Sequence, residues 1–286
     1  MATEDTQKDK DFIAINIVLY PQENQQVACY INLFNEIKGK GDITIKEFEE
    51  KPDRVGLISS FEEDSEGVYI GKYVVGDLID ANSEGWNIDQ ATHCQLPIRG
   101  RNLIHDENLF FYFDSNIHRI FIPKVSQRRI EEFEEFIRKA TKLIDHNLEV
   151  ELITIKDSSN IHRVFNAPFV KSIDVEVCYT NNANNKAAGA MMDAYMRKNN
   201  VHKMRAHAQA DKGESIVLSG DNNILGGLVS MSNEYGYTKA VIVNEAGSEE
   251  KVDTTNHPKI FKISESRDNP LTAGRIRRLS DEKQKE

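Results

Sequence analysis

Cysteine is scarce in this sequence of 286 residues, with three scattered positions at Cys29, Cys94 and Cys178. Their number is odd and their spacing fits neither a disulfide framework nor a zinc site, so reduced thiols are expected. No apolar run approaches the roughly 18–20 residues that a membrane helix needs. The first ten residues are polar and lack the apolar segment of a signal peptide. These absences predict a cytoplasmic protein with no membrane contact.

The short motifs of common catalytic and cofactor-binding sites are also missing. The sequence contains no GxxxxGK[ST] phosphate loop, no GxGxxG after a strand, no HExxH or CxxC spacing and no GxSxG elbow. His93 precedes Cys94, but adjacent side chains rarely point at one another, which disfavours a thiolate–imidazole pair. We therefore assign no catalytic residue, no metal ligand and no cofactor from the sequence.

The clearest pattern of secondary structure lies in Asn108–Ile155. Residues 109–122 contain two β-rich runs on either side of a polar turn, which predicts a hairpin. Ser126 is placed to cap a helix whose apolar residues recur at helical spacing through residues 130–144. Apolar and acidic residues then alternate in residues 148–152. The pattern predicts the order strand–strand–helix–strand.

The rest of the chain differs on the two sides of this stretch. Strands dominate the N-terminal half, whereas strands and helices alternate in the C-terminal half, so we expect an α+β fold with mixed sheets and helices packed on one face. The expected domains are a β-rich meander with one helix at 1–105, an α+β domain at 106–265 and a basic disordered tail at 266–286. The segment Asp77–Arg101 has no period and is expected to be a long surface loop.

Charge is unevenly distributed along the chain. The formal net charge is −10, and the segment from Glu36 to Asp89 contains 14 acidic residues and only 6 basic ones. Between Lys186 and Lys212 the balance reverses, with 6 lysines and arginines against 2 aspartates. This asymmetry predicts one acidic and one basic surface on the same protein.

The basic segment has the pattern of a strand with a cationic face. Lys203, Arg205 and His207 alternate with smaller or apolar residues, so they share one side. Neighbouring cations repel each other, which favours an anion opposite them, either a phosphate backbone or an acidic part of the same protein. Arg128 and Arg129 at the start of a predicted helix oppose the helix dipole, so they do not stabilise that helix. The predicted C-terminal tail adds three more arginines. The predicted nucleic-acid contacts are Arg128, Arg129, Lys186, Arg197, Lys198, Lys203, Arg205, His207, Arg275, Arg277 and Arg278.

Two other functions fit the sequence. Asp174 and Glu176 are two residues apart on a predicted strand, so both carboxylates point to one face, as a metal-dependent nuclease or other toxin requires. The same alternation is typical of the solvated face of a half-buried strand. The other alternative is a protein-binding adaptor, in which the acidic half engages a basic partner without nucleic acid.

From Asn108 to about Arg205 the order of elements resembles the RexA-like phage-exclusion proteins and related bacterial proteins. The shared pattern is the aromatic hairpin LFFYFDSNIHRIFIP, a helix, the strands LEVELITI and VKSIDVEV, and a helix before a basic stretch. The resemblance implies a cytoplasmic homodimer that binds DNA without strong sequence preference and acts in abortive infection. We therefore expect a nucleic-acid-binding component of a phage-defence system, with DNA favoured over RNA and a partner protein encoded in the same operon. No residue-level motif transfers a functional residue.

Overall fold

A computed structural model describes residues 8–48, 52–65, 67–87, 89–179, 187–219, 223–265 and 272–281. The strands are β1 (Lys8–Tyr20), β2 (Ile43–Lys46), β3 (Arg54–Ser65), β4 (Val68–Ile79), β5 (Glu84–Asn87), β6 (Thr92–Gln95), β7 (Asn102–Asp114), β8 (Arg119–Pro123), β9 (Glu149–Thr154), β10 (Phe169–Cys178), β11 (Lys203–Gln209), β12 (Gly236–Val243), β13 (Glu249–Asp253) and β14 (Phe261–Glu265). The helices are α1 (Val27–Lys40), α2 (Gln127–Ile144), α3 (Ser158–Phe165), α4 (Ala187–Lys198), α5 (Ile224–Tyr235) and α6 (Ala273–Asp281). With 28% helix and 44% strand, the predicted α+β class is confirmed.

Two compact units divide the chain, and each is assembled from separate stretches. The first unit takes Met1–Gln25, Asn116–Lys124 and Glu151–Leu271, and the second takes Gln26–Ser115, Val125–Val150 and Thr272–Glu286. This division does not coincide with the predicted boundary near residue 105. The reason is long-range pairing, since β1 pairs with β8 and β14, which lie more than a hundred residues away in sequence.

The first unit contains a four-stranded antiparallel sheet in the order β11-β10-β12-β13. On β10 the apolar residues Ile173, Val175 and Val177 alternate with polar ones and are buried. They join a hydrophobic core with Val164 of α3 and Leu228 of α5. One face of this sheet therefore carries the helices, and the opposite face carries the polar side chains.

Strand β1 of the first unit is buried along most of its length, as its continuous apolar sequence predicts. Asn16 is the polar exception. Its Nδ2 donates to the carbonyl of Glu234 (2.8 Å), and its Oδ1 accepts from Arg119 Nε (2.9 Å). Arg119 Nη2 also lies 3.2 Å from Glu234 Oε2, so this buried guanidinium is both paired and hydrogen-bonded.

The second unit has the sheet order β7-β4-β3-β2, with α1 and α2 packed together over it. Its core is aromatic. Phe34 of α1 lies 5.0 Å from both Phe61 of β3 and Phe113 of β7, measured between ring centroids. A Cβ atom at Gly71 would overlap the ring of Phe111, so only glycine leaves room for this packing.

The predicted order strand–strand–helix–strand is present as β7, β8, α2 and β9. Ser126 occupies the position before α2, but its side chain makes no capping hydrogen bond, contrary to prediction. The buried residues of α2 include Ile130, Phe133 and Phe136, which confirms the predicted helical periodicity. The four elements are shared between the two units, because β7 and α2 belong to the second and β8 to the first.

Two segments are more ordered than the sequence predicts. The expected loop Asp77–Arg101 begins with the end of β4 and contains the paired strands β5 and β6. These short strands are held by backbone hydrogen bonds and have no apolar alternation to reveal them. The expected disordered tail contains α6, whose Ile276 is 1% exposed, so this prediction is wrong for Ala273–Asp281. Residues 266–271 and 282–286 lie outside the described chain.

No helix formed by the described residues is long and apolar enough to cross a membrane.

Candidate nucleic-acid interface

The face of the β11-β10-β12-β13 sheet opposite the helices, which we call the open face, carries the predicted basic strand. Lys203, Arg205 and His207 have side chains that are 43%, 64% and 58% exposed. Met204 and Ala206 between them are less exposed and pack against the core. The predicted alternation of β11 is therefore confirmed, and its basic side chains share one exposed side.

Anionic side chains on the neighbouring strand face these cations. The strand register places Asp174 opposite His207, and Asp174 Oδ1 lies 3.1 Å from His207 Nδ1. The same oxygen lies 3.8 Å from Arg205 Nη2. The repulsion expected among the cations of β11 is thus relieved within the protein itself, by β10.

Lys203 has two carboxylate neighbours. Its Nζ lies 3.0 Å from Oε1 of Glu151 and 3.7 Å from Oε1 of Glu176. Partial burial disfavours the charged ammonium, but the hydrogen bond to Glu151 and the charges of both carboxylates outweigh it and raise the pKa of Lys203 above its ordinary value. Lys203 is therefore charged at neutral pH, in a site already partly neutralised.

An aromatic side chain also lies on the open face, and the sequence reasoning missed it. Tyr237 of β12 is opposite Glu176 in the strand register, and its hydroxyl donates to Glu176 Oε2 at 3.4 Å. Lys239 Nζ lies 5.8 Å from the Tyr237 ring centroid and 3.2 Å from Asp253 Oδ2. The i, i+2 spacing of Tyr237 and Lys239 is the signal that places both on one face.

The basic end of α4 is held by local contacts. Arg197 Nε donates to Asp193 Oδ2 at 2.9 Å, and its Nη1 donates to Gln25 Oε1 at 3.2 Å. Its guanidinium also lies 5.0 Å from the ring centroid of Tyr179. Lys198 beside it is exposed. These contacts hold Arg197 within the first unit, while the predicted contact Lys186 lies outside the described residues.

The other predicted contacts belong to the second unit, whereas the open face belongs to the first. Arg128 Nε lies 3.1 Å from Glu132 Oε1 within α2, and Arg129 forms an ion pair with Glu107. Arg275, Arg277 and Arg278 are part of α6 rather than of an unstructured arm. Of the predicted residues that the structure describes, three share β11: Lys203, Arg205 and His207.

The carboxylates proposed as metal ligands share the open face, as the spacing predicts. Asp174 and Glu176 are both half-buried on β10, but each is engaged by a cation of β11. Among the residues that the structure describes, no group of three histidines, cysteines, aspartates or glutamates is arranged to hold a metal ion.

A family model with the description "Domain of unknown function (DUF4747)" matches residues 9–281, which is nearly the whole chain. The chain belongs to the DUF4747 family. No curated protein matches it. Because the match spans residues of both compact units, the DUF4747 pattern includes the open face as well as the second unit. The family description assigns no activity, and the resemblance to RexA-like proteins stays a prediction.

The second unit of this DUF4747 protein contains a cavity that the sequence reasoning missed, with a volume of about 820 Å³. Arg54 lies in its wall among carboxylates of β4, β7 and α2. At the rim of the cavity, the strand pairing of β7 with β4 is irregular opposite Gly76. His105 of β7 adopts a φ of 50° there, and the Nδ1 atom of His105 lies 3.1 Å from Asp77 Oδ2. The sequence signal that could have indicated this site is a single arginine, Arg54, directly before an apolar run that ends at Ile58.

Proposed function

We propose that the protein binds nucleic acid through the open face, as a component of a bacterial phage-defence or abortive-infection system. The observation that supports binding is the row of exposed basic side chains on β11, formed by Lys203, Arg205 and His207. Tyr237 and Lys239 extend this row toward the centre of the sheet. A cationic surface with an aromatic side chain suits phosphates and an exposed base.

The ion pairs within the open face are weak enough for a phosphate to replace a carboxylate beside a cation. Exposed ion pairs contribute about 0–1 kcal/mol each, so a phosphate replaces Asp174 beside Arg205 at little cost. The 3.8 Å separation of this pair is also long for a charge-assisted contact. Since Asp174 and Glu176 remain nearby and repel phosphate, we expect modest affinity with a strong dependence on salt.

The finer assignments in this proposal come from the resemblance to RexA-like proteins. We infer that DNA is preferred over RNA, that the protein acts as a cytoplasmic homodimer and that a protein encoded in the same operon is its partner. Light scattering of the purified full-length chain tests the dimer, and binding to DNA and RNA probes of equal sequence tests the preference.

The decisive measurement is the fluorescence anisotropy of labelled single-stranded DNA, duplex DNA and RNA titrated with the full-length protein. We expect wild-type affinity to fall at least tenfold between about 50 and about 200 mM salt. Lys203→Glu with Arg205→Glu is expected to weaken binding by a further factor of about ten or more, because two phosphate contacts become repulsive. Undetectable or salt-independent binding by the wild type would overturn the proposal.

A matched charge reversal distinguishes the open face from net charge. Lys38→Glu with Lys40→Glu changes the total charge by the same amount on exposed positions at the end of α1, in the second unit. We expect this control to bind within about twofold of wild type. Equal weakening in both double variants would mean that no particular face is used.

The same assays separate the alternative functions. Probe cleavage that requires a divalent metal and disappears in Asp174→Ala would favour a nuclease. A protein complex that survives nuclease treatment, together with no probe binding, would favour an adaptor. The defence role itself is tested by phage plating on cells that express wild type or the Lys203→Glu, Arg205→Glu variant, where we expect protection only by the wild type.

A further inference from the structure

The cavity of about 820 Å³ belongs entirely to the second unit and is distinct from the open face. It is bordered by residues of β2, β3, β4 and β7 and by the first turns of α2. Sites for small molecules commonly have volumes of about 300–1,000 Å³, are mostly apolar and contain a few converging polar groups. This cavity has that size, and its walls combine apolar side chains with a larger number of charged ones.

Arg54 is the buried charge in the cavity wall, with a side chain that is only 8% exposed. Its guanidinium nitrogens lie 3.3 Å from Asp77, 3.6 Å from Glu107 and 3.5 Å from Glu132. All three separations exceed the roughly 2.7–2.9 Å of strong charge-assisted hydrogen bonds. Glu107 and Glu132 are also paired with Arg129 and Arg128, so the carboxylates of this wall are shared among three arginines.

Further carboxylates lie at the cavity mouth on α2. Glu131 and Glu135 are one helical turn apart and both line the cavity. Glu131 accepts a hydrogen bond from the neutral amide of Gln127, and Glu135 lies 3.8 Å from Lys139 Nζ. The five carboxylates of the lining outnumber its three lysine and arginine side chains, Lys46, Arg54 and Arg128, so the cavity attracts positive charge.

Apolar side chains form part of the remaining wall, which also contains Lys46, His105 and Arg128, and they limit which cation fits. Ile45, Phe48 and Ile104 line the cavity beside the carboxylates. Methylene groups gain free energy by contact with such a surface, whereas a hydrated metal ion does not. The carboxylates surround a guanidinium, and the described residues hold no arrangement of ligands suited to a metal ion. Charge at the mouth and apolar surface inside together fit an organic cation.

We propose that this cavity binds a protonated aliphatic amine. The ammonium group lies between Glu131 and Glu135, and the aliphatic chain lies against Ile45 and Ile104. Arg54 holds the carboxylates of the wall in place through its ion pairs with them, so it acts as a positioning residue. This binding is independent of nucleic-acid contact in the first unit.

The test uses hexamethylenediamine and hexanediol as probes of equal chain length, one charged and one neutral. Isothermal titration calorimetry of the full-length protein is expected to detect the diamine and to show at least tenfold weaker binding of the diol. Glu131→Gln with Glu135→Gln is expected to weaken diamine binding at least tenfold. This pair leaves the contacts of Arg54 intact, and a thermal unfolding transition confirms that the variant is folded.

A second pair of substitutions controls for general surface charge. Glu36→Gln with Glu62→Gln removes the same charge from exposed positions of the second unit that do not line the cavity. We expect wild-type affinity for the diamine in this control. Equal loss in both pairs, equal affinity for diamine and diol, or no heat of binding with wild type would each overturn the proposal.

Discussion

At the scale of single residues, Asp174 has two opposing effects on the open face. Its carboxylate lies close to His207 and Arg205 and offsets positive charge on this side of β11. The same carboxylate competes with any phosphate that approaches these cations. The pattern of the β11 sequence indicated that an anion must be present, but it did not identify Asp174 as that anion.

The substitution Asp174→Asn is therefore expected to strengthen nucleic-acid binding by about three- to tenfold, since it removes one repulsive charge and retains the shape of the side chain. Anisotropy at low salt measures the change. Asp89→Asn, at an exposed position outside the open face, is the control and is expected to have no effect. Weaker binding by Asp174→Asn would show that phosphate does not use these cations.

His118 makes a separate contribution to the pH dependence of stability. Burial lowers the pKa of its imidazole to about 4, below the value of about 6.5 in an unfolded chain. At acidic pH the unfolded state thus binds more protons, so folded stability is complete above pH 6.5 and falls as the pH decreases toward 4. The loss attributable to His118 reaches about 3 kcal/mol at the lower limit.

Replacement of His118 by asparagine tests this effect, because asparagine tolerates the φ of 51° at this position. We expect the free energy of unfolding of His118→Asn, measured with urea, to depend less on pH between about 6.5 and about 4 than that of wild type. An unchanged slope in the variant would assign the acid sensitivity to other groups.

At the scale of secondary-structure elements, α6 contains a buried apolar side chain, Ile276. Ile276 is 1% exposed, and α6 packs on β3, β4 and β7. Ile276→Ala is expected to cost about 2–4 kcal/mol in the free energy of unfolding, because it leaves a cavity in a buried contact. Leu143→Ala on α2, where the leucine is 56% exposed, is the control and should cost less than about 1 kcal/mol. Chemical denaturation of both variants measures the difference.

Elements with a strong local pattern were predictable from the sequence. The periodicity of α2 and the alternation of β11 were correct because both depend on neighbouring residues. The helix α6 was missed because its charged residues obscure its apolar positions. The cavity around Arg54 was missed because its wall combines residues from β3, β4, β7 and α2, and no local pattern encodes such a meeting.

At the scale of the whole molecule, the chain order and the compact units do not correspond. The first unit requires β1 from the N-terminal region, β8 from the middle and β14 from near residue 261. Contacts so distant in sequence carry a large loop-closure cost before they are formed. A boundary drawn from composition could not reveal them.

Separate expression of residues 1–105 and 106–286 tests this interleaving. We expect neither fragment to unfold cooperatively, because the first lacks the partners of β1 and the second lacks β1 itself. Circular dichroism during thermal denaturation measures this, with the full-length chain as the reference. A cooperative transition in either fragment would mean that the strands of the first unit are dispensable for folding.

The position of β11 at the edge of its sheet has one more consequence. An edge strand offers unpaired backbone groups to other chains, and natural proteins often guard such edges with charged side chains. Lys203 and Arg205 would approach their own counterparts if two β11 strands joined in an antiparallel ribbon. A homodimer built through this edge is therefore disfavoured, and the same cations that attract phosphate also protect the protein from edge-to-edge aggregation.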